Sequence, residues 1–200
     1  MTPFKTLTAI AAPLRGTDID TDQIVPARFM HLPREHYGRF CFHDLRIDAN
    51  GAPIAGFVLN QAKYAHAAVL VANRNFGCGS SREHAVYTLY DFGIRVIAAA
   101  SFGDIFKANC YKNGLLALEL DEAIIERWQA ELDDSAGGVV AVDLSAQRVT
   151  GPSGDTHAFD IDPFSKHALL EGLDEIALTL RLAKDIEAYE RDRIAPWPSP

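Results

Sequence analysis

The chain has 200 residues, 48% of them hydrophobic, with a formal net charge of −8 and a sequence pI near 5.3. That length and apolar share suffice for one good core, and an acidic balance without a basic run argues against a nucleic-acid or anionic-membrane surface. Nothing approaches the roughly 18 unbroken apolar residues of a membrane helix, and residues 1–16 lack the cationic region of a secretory signal, so a cytoplasmic protein is expected.

Residues 4–11 alternate Thr6 and Thr8 with Leu7 and Ala9, as a first strand does. Residues 16–22 then gather three aspartates and two threonines; a polar loop with Asx-turns is the plain reading, and the glycine and glutamate of a calcium loop are missing. Between 26 and 39, Arg28, His31, Arg34, His36 and Arg39 interleave with Phe29, Met30, Leu32 and Tyr37. Residues 48–51 and Pro53 mark a turn, and 57–66 have no clear pattern.

From residue 67 the pattern sharpens. Apolar runs at 67–71, 94–100 and 115–120 read as buried strands, separated by helices that stop near Gly93 and at Asn113-Gly114; Ser101 is the expected cap of the second helix. Strands alternating with helices predict an α/β fold. An acidic helix is expected from Asp121 to about Leu132, then a loop at 135–138. Short strands follow at 139–144, 148–150 and 157–161, a meander. Beyond Pro163, two or three helices are expected, with Leu169, Leu173, Ile176, Leu180 and Ile186 as apolar faces and Pro196 and Pro198 ending the last.

The chemistry centres on Asn75-Phe76-Gly77-Cys78-Gly79-Ser80-Ser81-Arg82-Glu83-His84-Ala85, set between a strand and a helix. Gly77 and Gly79 permit positive φ and a close approach to a ligand, while Ser80, Ser81 and Arg82 fall where free N–H groups favour an anion. The plain alternative is a capping box, Ser80 with Glu83. Arg82 stands where Gly-x-Gly-x-x-Gly needs its last glycine, and no Gly-Lys-Ser/Thr follows, so nucleotide binding is not expected. Cys41, Cys78 and Cys110 are far apart, and no His-x-x-x-His occurs, so neither a disulfide framework nor a metal site is expected in this chain. An activated thiol at Cys78 is the lesser reading.

This loop resembles the serine-serine-arginine loop in the small swivelling domain of the aconitase superfamily. Three further blocks agree in order: Asp18-Ile19-Asp20-Thr21-Asp22-Gln23-Ile24-Val25-Pro26-Ala27, Ser101-Phe102-Gly103-Asp104-Ile105-Phe106, and Asn109-Cys110-Tyr111-Lys112-Asn113-Gly114-Leu115-Leu116. With Asp162-Pro163-Phe164-Ser165-Lys166-His167 and Gly172-Leu173-Asp174-Glu175-Ile176, the similarity spans nearly the whole chain. It is greatest to the bacterial small-subunit family of 3-isopropylmalate dehydratases.

The resemblance implies one swivelling β/β/α domain over residues 1–200, with a mixed sheet or barrel-like core, flanking helices and a helical extension from about 163. It implies reversible dehydration and rehydration of 2-isopropylmalate to 3-isopropylmalate through 2-isopropylmaleate, a step of leucine biosynthesis. A related hydro-lyase acting on homoaconitate, citramalate or dimethylmalate is an alternative, as is a non-catalytic binding module. Carried over, Ser80 is the general base, with Ser81 and Arg82 supporting it. Gly79, Thr21 and Asp22 lie beside them, Asp22 holding Arg82 by a charge-assisted pair. The 26–39 segment, on its residues alone equally a half-buried surface stretch, meets by this resemblance the variable end of the substrate, with Phe29, Met30 and Leu32 toward the isopropyl group and Arg28 or Arg34 toward a carboxylate. No cofactor is expected in this chain; a [4Fe-4S] cluster is expected in a larger partner subunit, with the small dicarboxylate bound between the two.

Overall fold

The computed structural model describes residues 1–134, 137–191 and 193. Its first strand, β1 (Thr6–Leu14), serves two half-sheets. Residues 6–10 pair antiparallel with β5 (Val139–Asp143), while residues 11–14 pair parallel with β2 (Val69–Ala72). Next to β2 come β3 (Val96–Ala99) and β4 (Leu116–Glu119), both parallel; next to β5 come β6 (Arg148–Thr150) and β7 (Thr156–Ala158), both antiparallel. The result is one mixed sheet in the order β4-β3-β2-β1-β5-β6-β7.

Burial follows this division. Residues 11–14 and all of β2 and β3 are buried, as strands covered on both faces must be, whereas β5 buries Val140 and Val142 and turns Val139 outward.

The long connection from β1 to β2 holds only α1 (Thr21–Ile24), α2 (His43–Arg46) and short 3-10 turns. Side chains satisfy its backbone instead of a ladder: Arg46 donates to the carbonyls of Cys41 and Arg39, and Asn60 to those of Arg46 and Ile54. Its 3-10 segment Arg34–Phe40 packs along α3 (Glu83–Phe92), which joins β2 to β3. Gly38 is required there, since a β-carbon would meet the Asp91 carbonyl oxygen at 2.6 Å.

After β3 comes α4 (Asp104–Lys112), and after β4 comes α5 (Glu122–Asp134), which crosses β1, β2 and β3. Ile125, Trp128, Gln129 and Leu132 form its buried stripe. Gln129 within that stripe donates to the carbonyls of Leu14 and Val71 and to Asn73 Oδ1, tying together the carboxyl ends of β1 and β2.

Three helices end the described chain: α6 (Pro163–Glu171), α7 (Glu175–Leu180) and α8 (Ala183–Arg191). Asp162 caps α6, and Leu169 is buried beneath it. The apolar faces expected beyond α6 are not covered within this chain: α7 and α8 bury nothing, and Ile176, Leu180 and Ile186 are 72%, 66% and 38% exposed. Helical spacing creates an apolar stripe but does not say what covers it. Pro196, Pro198 and residues 135–136 of the expected loop lie outside the described residues.

Candidate active site

The site lies at the carboxyl ends of β1, β2 and β3, where open parallel sheets place their ligands. The loops leaving these strands continue the pairing of the sheet: Asp20 bridges Cys78, and Phe76 bridges Phe102. The first loop donates through Asp18 N–H to the Arg74 carbonyl and through Thr21 N–H to the Cys78 carbonyl, and accepts at the Ile19 carbonyl from Gly77 N–H. Asn75 adds a side-chain bond to Asp18 at 2.7 Å, which holds the Asp18 carboxyl below its ordinary range. Thus two polar stretches, far apart in sequence, form one scaffold.

Gly77 and Gly103 make the approach of the second and third loops possible. Gly77 has φ +74° and lies against the Phe106 ring, where a β-carbon would stand 2.2 Å from Cγ. A β-carbon on Gly103 would meet the Gly77 carbonyl oxygen at 2.8 Å. Between them opens a cleft of about 270 Å³ lined by Cys78, Gly79, Ser80, Asp104 and Ile105.

Ser80 and Ser81 are exposed, and their hydroxyls have no hydrogen-bond partner among the described residues. The expected capping box at Ser80 and Glu83 is absent. Instead the chain bends at Gly79 (φ +87°), and α3 starts only at Glu83, with an extended Arg82 as its N-cap and no side-chain cap. The capping box of this region is Asp20 with Gln23: Asp20 Oδ1 accepts from Gln23 N–H, and Gln23 Oε1 accepts from Asp20 N–H. Its Asp-x-x-Gln spacing was visible in the sequence.

Arg82 donates from Nη1 to Asp22 Oδ1, and Thr21 Oγ1 donates to the Ser80 carbonyl at 3.2 Å. Thr21, Asp22, Gly79, Ser80, Ser81 and Arg82 therefore stand in one cluster. The Arg82 side chain is 23% exposed and Asp22 is 53% exposed, so the guanidinium is held from one side while the pair stays open to solvent.

The other three expected residues belong to separate clusters. Arg28 grips both carboxylate oxygens of Asp44 and stacks 4.5 Å over Phe29, whose ring in turn stacks on Phe40 at 4.0 Å. Hydrogen bonding from Arg28, opposed by burial and aided by His43, brings the Asp44 carboxyl down to about 2. Arg34 pairs with Asp91 at 3.3 Å and lies 4.1 Å over Tyr87. Both arginines already hold a carboxylate within this chain.

One smaller expectation is corrected, and the lesser reading of Cys78 finds no support. Ser101 caps no helix; its Oγ accepts from Asn75 N–H at 2.8 Å, and Gly103 is the N-cap of α4. Burial and the carboxylates of Asp20 and Asp18 push the Cys78 thiol up, the reverse of activation. Among the described residues no three His, Cys, Asp or Glu side chains gather as a metal site. No described helix is long and apolar enough to cross a membrane. Sequence reading missed Gln129, although its place between Ile125 and Leu132 put it on the buried side of α5.

Comparison with known proteins agrees with this layout. A family model described as the aconitase C-terminal domain matches residues 1–123, and one described as LeuD_N matches 126–163. The 3-isopropylmalate dehydratase small subunit of Rhodospirillum centenum is 48% identical over 98% of this chain and 98% of its own. That of Jannaschia sp. is 46% identical over 98% and 100%. In fold, the chain superposes with a TM-score of 0.65 on the crystal structure of 3-isopropylmalate dehydratase from Methanocaldococcus jannaschii, covering 92% of this chain and 99% of that one at 24% identity. Relatives this similar over nearly the whole chain, together with the matching family model, show that the chain belongs to the 3-isopropylmalate dehydratase small-subunit family.

Proposed function

We propose that this chain is the acid–base and carboxylate-binding half of a hydro-lyase that interconverts 2-isopropylmalate and 3-isopropylmalate through 2-isopropylmaleate in leucine biosynthesis. The observation that carries the reading is the cluster of unpartnered Ser80 and Ser81 hydroxyls beside an Arg82 held by Asp22. Ser80 acts as the general base. As an alkoxide it takes the proton from the substrate carbon next to a carboxylate; the C–H electron pair becomes the double bond as hydroxide leaves the neighbouring carbon. The alkene then turns over in the site so that its two carbons exchange places; Ser80 Oγ returns the proton to the carbon that had carried the hydroxyl, hydroxide adds to the carbon that had carried the proton, and the isomer results.

A serine hydroxyl is a weak base in water, and Ser80 is exposed in this chain alone. Ionisation needs a dry pocket and nearby donors, so the site is completed by a second polypeptide. Arg82 clamps a substrate carboxylate with the N–H groups that Asp22 leaves free, and Ser81 and Gly79 add donors at the same edge. Thr21 fixes the Ser80 backbone. Phe29 and its ring stack meet the isopropyl group, and Arg28 and Arg34, committed to Asp44 and Asp91, shape that end of the site.

A [4Fe-4S] cluster held by the larger partner subunit would supply the Lewis acid that departure of hydroxide needs. That partner also covers the apolar groove of about 510 Å³ between α4, α6 and α7, which shares Asp104 with the serine cleft, together with the exposed Ile176 and Leu180 of α7. The test is an assay of 3-isopropylmalate dehydration by the purified chain alone and with the large subunit carrying its cluster. Turnover only with both is expected; full turnover by this chain alone would refute the reading.

A further inference from the structure

The serine-arginine loop is braced by both ends of one helix. At the start of α4, Gly103 N–H donates to the Phe76 carbonyl at 3.0 Å, and Phe106 fills the space beside Gly77. At its other end Asn113, the C-cap of α4, donates from Nδ2 to Glu83 Oε1 at 2.7 Å and to the Asn109 carbonyl at 2.9 Å. Glu83 is the first residue of α3 and follows Arg82 directly. Residues 77–82 therefore run between two anchors on a single rigid rod.

The N-terminus of α3 has no side-chain cap, so it lacks the usual device that fixes the direction of a helix start. The Asn113–Glu83 bond supplies that restraint. We infer that Asn113 is a positioning residue: by holding Glu83 it sets the first turn of α3, and with it the direction of Arg82 and the spacing of the Ser80 and Ser81 hydroxyls. An amide suits the task because it grips a carboxylate without adding a second charge near the site. The neighbouring Lys112 is already committed to Glu175 at 2.7 Å. Asn113 has φ −110° and ψ 10°, a conformation open to other residues, so its replacement tests the side chain and not the backbone.

The inference rests on the proposed role of the loop, and its test uses the assembled two-subunit enzyme dehydrating 3-isopropylmalate, with kcat, KM and Tm recorded for each variant. Asn113→Asp sets one carboxylate against another and is expected to lower kcat roughly 10- to 100-fold, the size of a sub-ångström to 1 Å displacement of catalytic groups. Glu83→Gln keeps an oxygen to accept the bond and is expected to stay near wild type. The double variant Asn113→Asp with Glu83→Gln reverses donor and acceptor and is expected to recover kcat. Asn113→Ala, which removes the bond without repulsion, is expected to fall between Asn113→Asp and wild type.

Wild-type kcat in both Asn113→Asp and Asn113→Ala would overturn the inference. So would a double variant that regains Tm but not kcat, which would mark the bond as structural only. Ser80→Ala serves as the control: if it is inactive while the Asn113 variants are unaffected, only this inference fails, whereas a fully active Ser80→Ala enzyme defeats the reading of the loop itself.

Discussion

Arg82 and Asp22 lie 60 positions apart in the chain, yet the guanidinium donates directly to the carboxylate across the mouth of the candidate site. The pair is too exposed to matter much for stability; such surface pairs contribute about 0–1 kcal/mol. Its value lies in aim. Asp22→Ala is expected to leave Tm nearly unchanged and to raise KM for 3-isopropylmalate in the assembled enzyme, lowering kcat/KM roughly 10- to 100-fold. Steady-state kinetics beside a thermal melt separate the two effects.

Capping separates Ser80 from Asp20. Because Ser80 caps no helix and its hydroxyl is unpartnered, Ser80→Ala is expected to change unfolding free energy by no more than about 0.5 kcal/mol. Asp20 accepts from Gln23 N–H in a complete capping box, so Asp20→Ala is expected to cost about 0.5–2 kcal/mol. Denaturant titration of the two variants checks the order.

The Arg28–Asp44 pair gives a pH-dependent signature. The Asp44 carboxyl lies at about 2 in the folded chain, below the roughly 3.9 of an unperturbed aspartate. A depressed carboxyl stabilises the fold above its unfolded value, and this contribution is lost as pH falls through about 2. Arg28→Gln is expected to move the Asp44 titration, followed by carbon NMR, up toward the ordinary value and to narrow the acid range in which the chain stays folded.

Ile176 and Leu180 are mostly exposed on a helix that buries nothing, so a charge there costs the isolated chain little. On the proposed covering of α7 by the large subunit, the same charge would enter an apolar interface. Ile176→Asp with Leu180→Asp is expected to weaken binding of the large subunit at least ~10-fold, about 1.4 kcal/mol, while the melt of the small chain alone is unchanged. Titration calorimetry or analytical ultracentrifugation would read this.

The fold was most legible where local signals and tertiary roles coincide. Continuous apolar runs marked β2, β3 and β4, and Gly93 and Gly114 marked the ends of α3 and α4. The segment from 27 to 64 showed interleaved cations and one turn but no helix or strand period, since Arg46 and Asn60 hold part of it by reaching backbone carbonyls. The site was legible as a motif, and the Asp22–Arg82 pair followed from the resemblance. Hidden from sequence were the duties of single polar side chains. Ser101 looked like a helix cap and Asp20 like one residue of a polar loop, and only the meeting of three loops makes Ser101 a bridge to Asn75 N–H and Asp20 the cap. Arg28 and Arg34 read as free cations because their partners, Asp44 and Asp91, are 16 and 57 positions away.

The most direct measurement is the exchange of the carbon-bound hydrogen of 3-isopropylmalate with deuterium from solvent, catalysed by the assembled enzyme with Ser80 intact and with Ser80→Ala. Loss of this exchange by roughly 10²–10⁴-fold, with the two subunits still bound and substrate affinity retained, is the result expected of a general base. Exchange at the wild-type rate in the alanine variant would contradict it, and the proton would have to be taken by another group.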